Sequence, residues 1–226
     1  MSFRLKVLNS GSKGNCYLLT DESGETLILD AGVKASDIKK ALDFDFSNVA
    51  GVIITHEHKD HSLSASDLEK YGLDVWHPYL IDGGRDRRTF RKYAIESFSV
   101  PHDQTPCCGF YIRHISGFKM LYLTDLSYCP YRFDKLNVDS ILIECNYDED
   151  LLNHDLIHLK HKVLGHLNLK NCMKFLDINK SENLKSVTLC HLSNALDIES
   201  TISGMKLFLG DNVAVDYADK GKVIEL

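Results

Sequence analysis

Six consecutive residues, "HEHKDH" from His56 to His61, hold three histidines and two carboxylates. They follow directly on the apolar run "VAGVIIT", so the polar cluster begins where a buried strand would end. Burying such groups without partners costs about 1–3 kcal/mol each, so something must collect them. Imidazole nitrogens and carboxylate oxygens are donors for divalent transition metals. In an extended loop alternate side chains point the same way, which turns His56 and His58 toward one point. Asp60 and His61, adjacent and leading into the next helix, face a second point nearby.

Other candidates share one feature: each follows a strand-like run. His102 follows "ESFSVP", Asp125 ends "MLYLTD" and His191 follows "SVTLC". Together with His56, His58, Asp60 and His61 these residues suit two divalent ions bridged by one carboxylate, that of Asp125. Two ions about 3.5–4 Å apart can hold a hydroxide between them and clamp the oxygens of an in-line displacement. Binding lowers the pKa of that water from 15.7 to about 7, which supplies a nucleophile at neutral pH. Asp60 therefore counts both as ligand and as part of the catalytic machinery.

His166, in "VLGHLNL", is a candidate catalytic and substrate-binding residue. Cleaving a phosphodiester needs a proton for the leaving alkoxide or a cation beside the phosphate, and an imidazole supplies either. The competing reading is a histidine packed between helices. In "SGSKGN", backbone N–H groups and the side chains of Ser10, Ser12 and Asn15 can cradle phosphate oxygens; otherwise the stretch is a simple hairpin turn. Asp30, closing "LILD", is expected to orient the metal-binding loop through hydrogen bonds. "RDRRTFRK" (85–92) either faces solvent or tracks a phosphate backbone. His154, His158 and His161 read as a solvated helix face.

The elements that must position these groups follow from patterning. "NCYLLT" and "ETLILD" read as two strands around the tight turn "DESG". "VKASDIKKALDF" suggests a helix with Ser36 as N-cap, and "SASDLEKYG" a second with Ser64 and Asp67 as a capping box. Further strands are expected at "DVWH", "AIESFSV", "CGFYIRH", "KMLYLTD", "SILIEC" and "SVTLCHL". Helices are expected around 84–93, 148–163 and 168–179, and a C-terminal hairpin at "NVAVDYADKGKVIEL". No repeat or Pro/Gly/Ser linker interrupts the chain, so residues 1–226 are read as one α/β or α+β domain.

Composition bounds the function. Hydrophobic content of 44% and charged content of 26% are those of a globular protein, and no apolar run is long enough to span a bilayer. The expectation is a soluble cytoplasmic protein with no membrane partner. Seven scattered cysteines without a CxxC pair point to reduced thiols rather than a disulfide framework. The formal charge of −6 argues against coating nucleic acid by bulk electrostatics. Two divalent ions would bring it to about −2 and make the pocket itself electropositive.

These residues resemble the metallo-β-lactamase superfamily. Its HxHxDH motif is complete as His56, His58, Asp60 and His61, and Asp30, His102, Asp125 and His191 follow its remaining motifs. The resemblance covers nearly the whole chain and implies a four-layer αββα sandwich with metals at one edge. It also implies that His56, His58 and His102 hold one ion, Asp60, His61 and His191 the other, and Asp125 both. Within the superfamily the chain is similar to the single-domain WalJ-like (YycJ-like) nucleases, through "SGSKGN", "PHD" followed by "GF", "LTD" and "GHL". It departs at Tyr147, where "ECNYD" replaces the usual E-x-N-H-D, and at "GHLNLKN".

The expected function is a dinuclear phosphodiesterase or nuclease of the DNA-exonuclease type, with nucleic acid or a phosphodiester as substrate. The ions are expected to be zinc, with manganese or iron as alternatives; oligomeric state is left open. The alternative is a carboxyl-ester, thioester or lactone hydrolase of the glyoxalase-II-like type, because the metal motif is common to both. A β-lactamase is disfavoured, since Asp125 stands where many zinc β-lactamases place a cysteine. A non-catalytic scaffold would not keep the whole ligand set.

Overall fold

A computed structural model describes residues 2–151, 163–193 and 196–226 of the chain. Two mixed sheets pack face to face. The first runs in the order β13 (Val223–Glu225), β1 (Arg4–Asn9), β2 (Cys16–Thr20), β3 (Thr26–Leu29), β4 (Val49–Ile53), β5 (Val75–Trp76). The second runs β12 (Ala214–Tyr217), β11 (Ser186–Cys190), β10 (Ser140–Glu144), β9 (Lys119–Leu123), β8 (Cys107–His114), β7 (Tyr93–Val100), β6 (Arg87–Phe90).

Strand alternation builds the layers. On β2, Tyr17 and Leu19 enter the core between the sheets, while Cys16 and Leu18 enter a second core. Ile38 of α1 (Ala35–Ala41) and Leu68 of α3 (Ala65–Lys70) close that second core. On β10, Leu142 faces the other sheet, whereas Ile141 and Ile143 meet α4 (Leu169–Asn179) and α5 (Ile198–Leu209) through Phe175, Leu176 and Met205. Strands buried on both faces read as continuous apolar runs, as "VAGVI" and "SILI" do. The result is the four-layer αββα sandwich.

Topology then places the site. β3 and β4 are parallel neighbours, and so are β9, β10 and β11. Parallel strands finish at one edge of their sheet, so Asp30, His56, Asp125, Glu144 and His191 emerge together. Short α2 (Lys59–Ser62) follows β4 and carries Asp60 and His61.

The structure corrects several expectations. The helix expected at 84–93 is a hairpin, with β6 paired to β7 from Arg87↔Glu96 to Phe90↔Tyr93. Its burial alternates along the strand, and the Phe90 ring fills the space beside Gly51, where a Cβ would lie 2.2 Å away. The C-terminal hairpin does not form, because β12 joins β11 and β13 joins β1 in the opposite sheet. Lys34, not Ser36, is the N-cap of α1. Ser64 makes no capping bond; its hydroxyl donates to the Val33 carbonyl. Of the helix expected at 148–163, residues 152–162, with His154, His158 and His161, lie outside the described residues. Asn168 caps α4 by accepting the Asn171 N–H at 2.7 Å, one residue inside the expected start. All seven cysteines are free thiols, and no helix of the described residues is long and apolar enough to cross a membrane.

Candidate metal centre

Three imidazoles of the centre have their tautomers set from outside, and a fourth is positioned by a hydroxyl. Thr55 Oγ1 gives its proton to Asp30 at 3.0 Å, and so accepts from His56 Nδ1 at 3.0 Å. His61 Nδ1 donates to Asp30 Oδ2 at 2.7 Å, and His102 Nδ1 to the Gly165 carbonyl at 2.7 Å. His58 uses Nε2 toward Thr105 Oγ1 at 3.2 Å. His56, His61 and His102 therefore turn a lone pair inward, the arrangement by which outer hydrogen bonds orient metal ligands.

The inward atoms form two adjoining groups. His56 Nε2 and His102 Nε2 lie 3.0 Å and 3.3 Å from His58 Nδ1. Donors about 2.0–2.1 Å from a tetrahedral ion are about 3.3 Å apart, so these spacings fit one. A single proton on His58 Nδ1 could bridge to one of these nitrogens, whereas one cation serves all three. In the second group Asp125 Oδ1 is 3.3 Å from His61 Nε2 and 2.5 Å from His191 Nδ1, and Asp60 Oδ2 is 3.6 Å from His61 Nε2. Asp125 turns its other oxygen, Oδ2, to the first group, 3.8 Å from His56 and 3.9 Å from His102. One carboxylate thus faces both. His191 Nδ1 is buried without a directed hydrogen bond despite these neighbours, so the atoms aim at a common point rather than at each other. The donor chemistry and convergence fit two divalent cations.

Electrostatics separates the groups. Burial holds His56 and His102 below the ordinary histidine range, which keeps them neutral. Burial also opposes charge on His191, yet the carboxylates of Asp125 and Glu144 push it up to about 10. The second position therefore favours positive charge.

Backbone conformation aims three of these side chains. Asp30, Asp125 and His191 all sit in the left-handed region, with φ of 57°, 51° and 50°, where each strand ends. Non-glycine residues adopt it at a cost of about 1–2 kcal/mol, and here it swings three side chains off their strands into the site.

Glu144 is the residue that sequence reasoning missed. It is fully buried at the end of β10 and accepts the N–H groups of Leu126 and Leu167, each at 3.1 Å. Its Oε1 lies 2.8 Å from His166 Nδ1 and 3.0 Å from His191 Nδ1. The signal was available: a lone acid closing the apolar run "ILIE", as Asp30 and Asp125 close theirs. His166 does reach the centre, with its side chain 17% exposed and its ring 5.0 Å from that of His191. Burial lowers its affinity for a proton, but Glu144 overcomes this and raises it above the ordinary range.

The "SGSKGN" loop is used differently from the expectation of a phosphate cradle. Asn15 is fully buried, with its amide spent on Gly11, Tyr17 and His61, and Ser10 Oγ accepts the His191 N–H at 2.9 Å. Both side chains brace the centre, and of the loop Ser12 and Lys13 stand exposed. The loop locks onto the HxHxDH segment through the Asn15 N–H, which donates to the Asp60 carbonyl at 2.6 Å. Gly32 makes that approach possible, since a Cβ there would meet the same carbonyl oxygen at 1.6 Å. Tyr147, at the departure from the usual motif, is buried and forms a β-bridge with Asn168.

The chain has relatives among known proteins. The chain is 28% identical over 231 residues to the exodeoxyribonuclease WalJ of Streptococcus pneumoniae serotype 2, covering 88% of this chain and 85% of that one. It is 29% identical over 225 residues to the exodeoxyribonuclease YycJ of Bacillus anthracis, covering 85% and 83%. Among solved structures, the metallo-beta-lactamase fold protein YhfI from Bacillus subtilis superposes with a TM-score of 0.71 at 17% identity over the whole of both chains. The model of the metallo-beta-lactamase superfamily matches residues 10–142, and the chain belongs to that superfamily.

Proposed function

We propose that this protein is a dinuclear metal-dependent phosphodiesterase acting on nucleic acid, as a DNA exonuclease. The observation that carries the reading is the pairing of a carboxylate facing two ligand groups, Asp125, with an imidazole held beside them, His166 on Glu144. The curated relatives are named exodeoxyribonucleases, which supports the same substrate class.

Two divalent ions, when bound, supply an acidified water and neutralise the charge that builds on the phosphate. His56, His58 and His102 would hold one, Asp60, His61 and His191 the other, and Asp125 both. Asp30 and Thr55 keep the ligand tautomers fixed. His166 is oriented by its Nδ1 contact to Glu144, and Nε2 is the atom that would pass a proton to the leaving oxygen. Glu144 steadies the protonated ring before transfer. Zinc suits this histidine-rich set, and manganese or iron fits the same donors.

The test is a panel assay of metal-loaded protein against end-labelled single- and double-stranded DNA, RNA, bis(p-nitrophenyl) phosphate and a thioester. Turnover of the phosphodiesters is expected. Thioester turnover without phosphodiester turnover would replace this reading by the carboxyl-ester alternative.

A further inference from the structure

A cavity of about 670 Å³ opens on the outer face of the seven-stranded sheet, over β7 and β8. Its floor is aromatic. Phe98 and Tyr111 rise from the sheet, while Tyr131 and Phe133 come from the loop after Asp125. The Phe98 ring centroid lies 5.4 Å from that of Tyr131 and 5.0 Å from that of Phe133. Gly109, opposite Phe98 on β8, gives this ring room, since a Cβ there would come within 2.6 Å of it. Tyr131 is 41% exposed and presents ring surface to solvent.

The rim is cationic. Arg85, Arg132 and Lys135 line it and are exposed. Two acids share the cavity, and both are met by arginine: Glu96 by Arg113 at 2.7 Å and Arg87 at 3.1 Å, Asp134 by Arg132 at 3.5 Å. The local balance is thus positive on a chain of formal charge −6. Of the "RDRRTFRK" stretch, Arg85 lines the cavity and Arg87 reaches it through Glu96.

The groove and the candidate metal centre are built on the same two chain segments. Phe98 precedes His102 by four residues along extended chain, a reach of about 13 Å. The opposite wall begins at Asp125, and its Ser127 N–H donates to the Pro101 carbonyl at 2.9 Å, which fixes the loop beside His102. A positive groove floored by aromatic rings is the arrangement that binds single strands, phosphates on the cations and bases on the rings. An apolar peptide would have no use for the cations, and a duplex could not lay its paired bases on Tyr131.

We propose that this groove holds a single-stranded stretch of the nucleic-acid substrate, with a base on Tyr131 and phosphates on Arg85, Arg132 and Lys135. The proposal rests on the nuclease reading above for the identity of its ligand. It makes affinity depend on strand length, because a dinucleotide fills the metal centre alone whereas a longer strand also reaches the groove.

The experiment is an anisotropy titration of metal-loaded protein with fluorescein-labelled oligo(dT) of two and twelve residues, carrying phosphorothioate linkages that resist cleavage. Wild type should bind the twelve-mer at least tenfold more tightly than the dimer. Tyr131→Ala should weaken twelve-mer binding about tenfold with its salt dependence unchanged. The triple variant R85A/R132A/K135A should weaken it further and lower the logarithmic salt slope by about 2, as loss of three phosphate contacts on a single strand requires. Metal content and melting temperature report that each variant is folded, and the exposed Tyr131 variant stands alone should the triple variant fail. Equal affinity for both lengths in wild type, or twelve-mer binding unchanged in both variants, would overturn the groove. Failure of wild type to cleave bis(p-nitrophenyl) phosphate would instead sink the phosphodiesterase reading, and leaves the binding result to stand on its own.

Discussion

His166 Nδ1 lies 2.8 Å from Glu144 Oε1, and this contact fixes which ring nitrogen the proposed mechanism uses. Replacing the ring should therefore remove a proton donor without removing a ligand. His166→Ala is expected to lower kcat for a DNA substrate about 100-fold while both ions stay bound. Steady-state kinetics with elemental analysis of the same sample checks it; lost metal would make His166 a ligand instead.

Asp30 reaches the centre only through other groups, since Thr55, His61 and Tyr122 all donate to it. Asp30→Asn leaves every proposed ligand in place but removes the charge that accepts the His61 proton. Metal affinity should fall about 10–100-fold, as loss of such outer partners does elsewhere. A chelator competition titration measures this, and unchanged affinity would show that His61 needs no orienting partner.

Gly32 is a steric prediction with no chemistry in it. A methyl at this position would collide with the Asp60 backbone oxygen at 1.6 Å. Backbone cannot yield as a side chain does, so Gly32→Ala should destabilise by about 3 kcal/mol or more. Urea unfolding of the variant beside wild type would show it, and a loss under 1 kcal/mol, an order-of-magnitude bound, would mean the loop re-seats easily.

Acid stability should carry a signature of Asp21, which is outside the candidate metal centre. Burial would raise its carboxyl, but hydrogen bonds from Ser23, Lys92 and the Glu25 N–H, with the Lys92 charge, hold it at about 2. A carboxyl lowered on folding contributes stability above its unfolded pKa of about 3.9, and that contribution is lost as pH falls toward the folded value. Asp21→Asn should therefore cost about 2 kcal/mol at pH 7, and the gap from wild type should close between about pH 4 and pH 2. Urea melts across that range give the answer; a gap independent of pH would assign the loss to packing.

Much of the site was legible because strand ends are legible. An apolar run closed by one polar residue marked Asp125 and His191, and HxHxDH marked the segment after β4. Glu144 passed unnoticed because its partners, His166 and two backbone N–H groups, lie distant in sequence. The bracing role of Asn15 was hidden for the same reason, as its burial depends on Gly32 lying against Asp60. In the fold, "RDRRTFRK" misled because its charges mask a period-two alternation that only pairing with β7 makes decisive. The C-terminal strands read as a hairpin since proximity in sequence says nothing about which sheet each one joins. The left-handed backbone at Asp30, Asp125 and His191 has no local signal at all.

The central claim is that one carboxylate serves two cation positions, and metal stoichiometry tests it most directly. Elemental analysis of the purified protein should find two divalent ions per chain, His58→Ala should reduce that to about one, and Asp125→Ala should lose both. A single ion in wild type, or two retained in the Asp125 variant, would contradict the account.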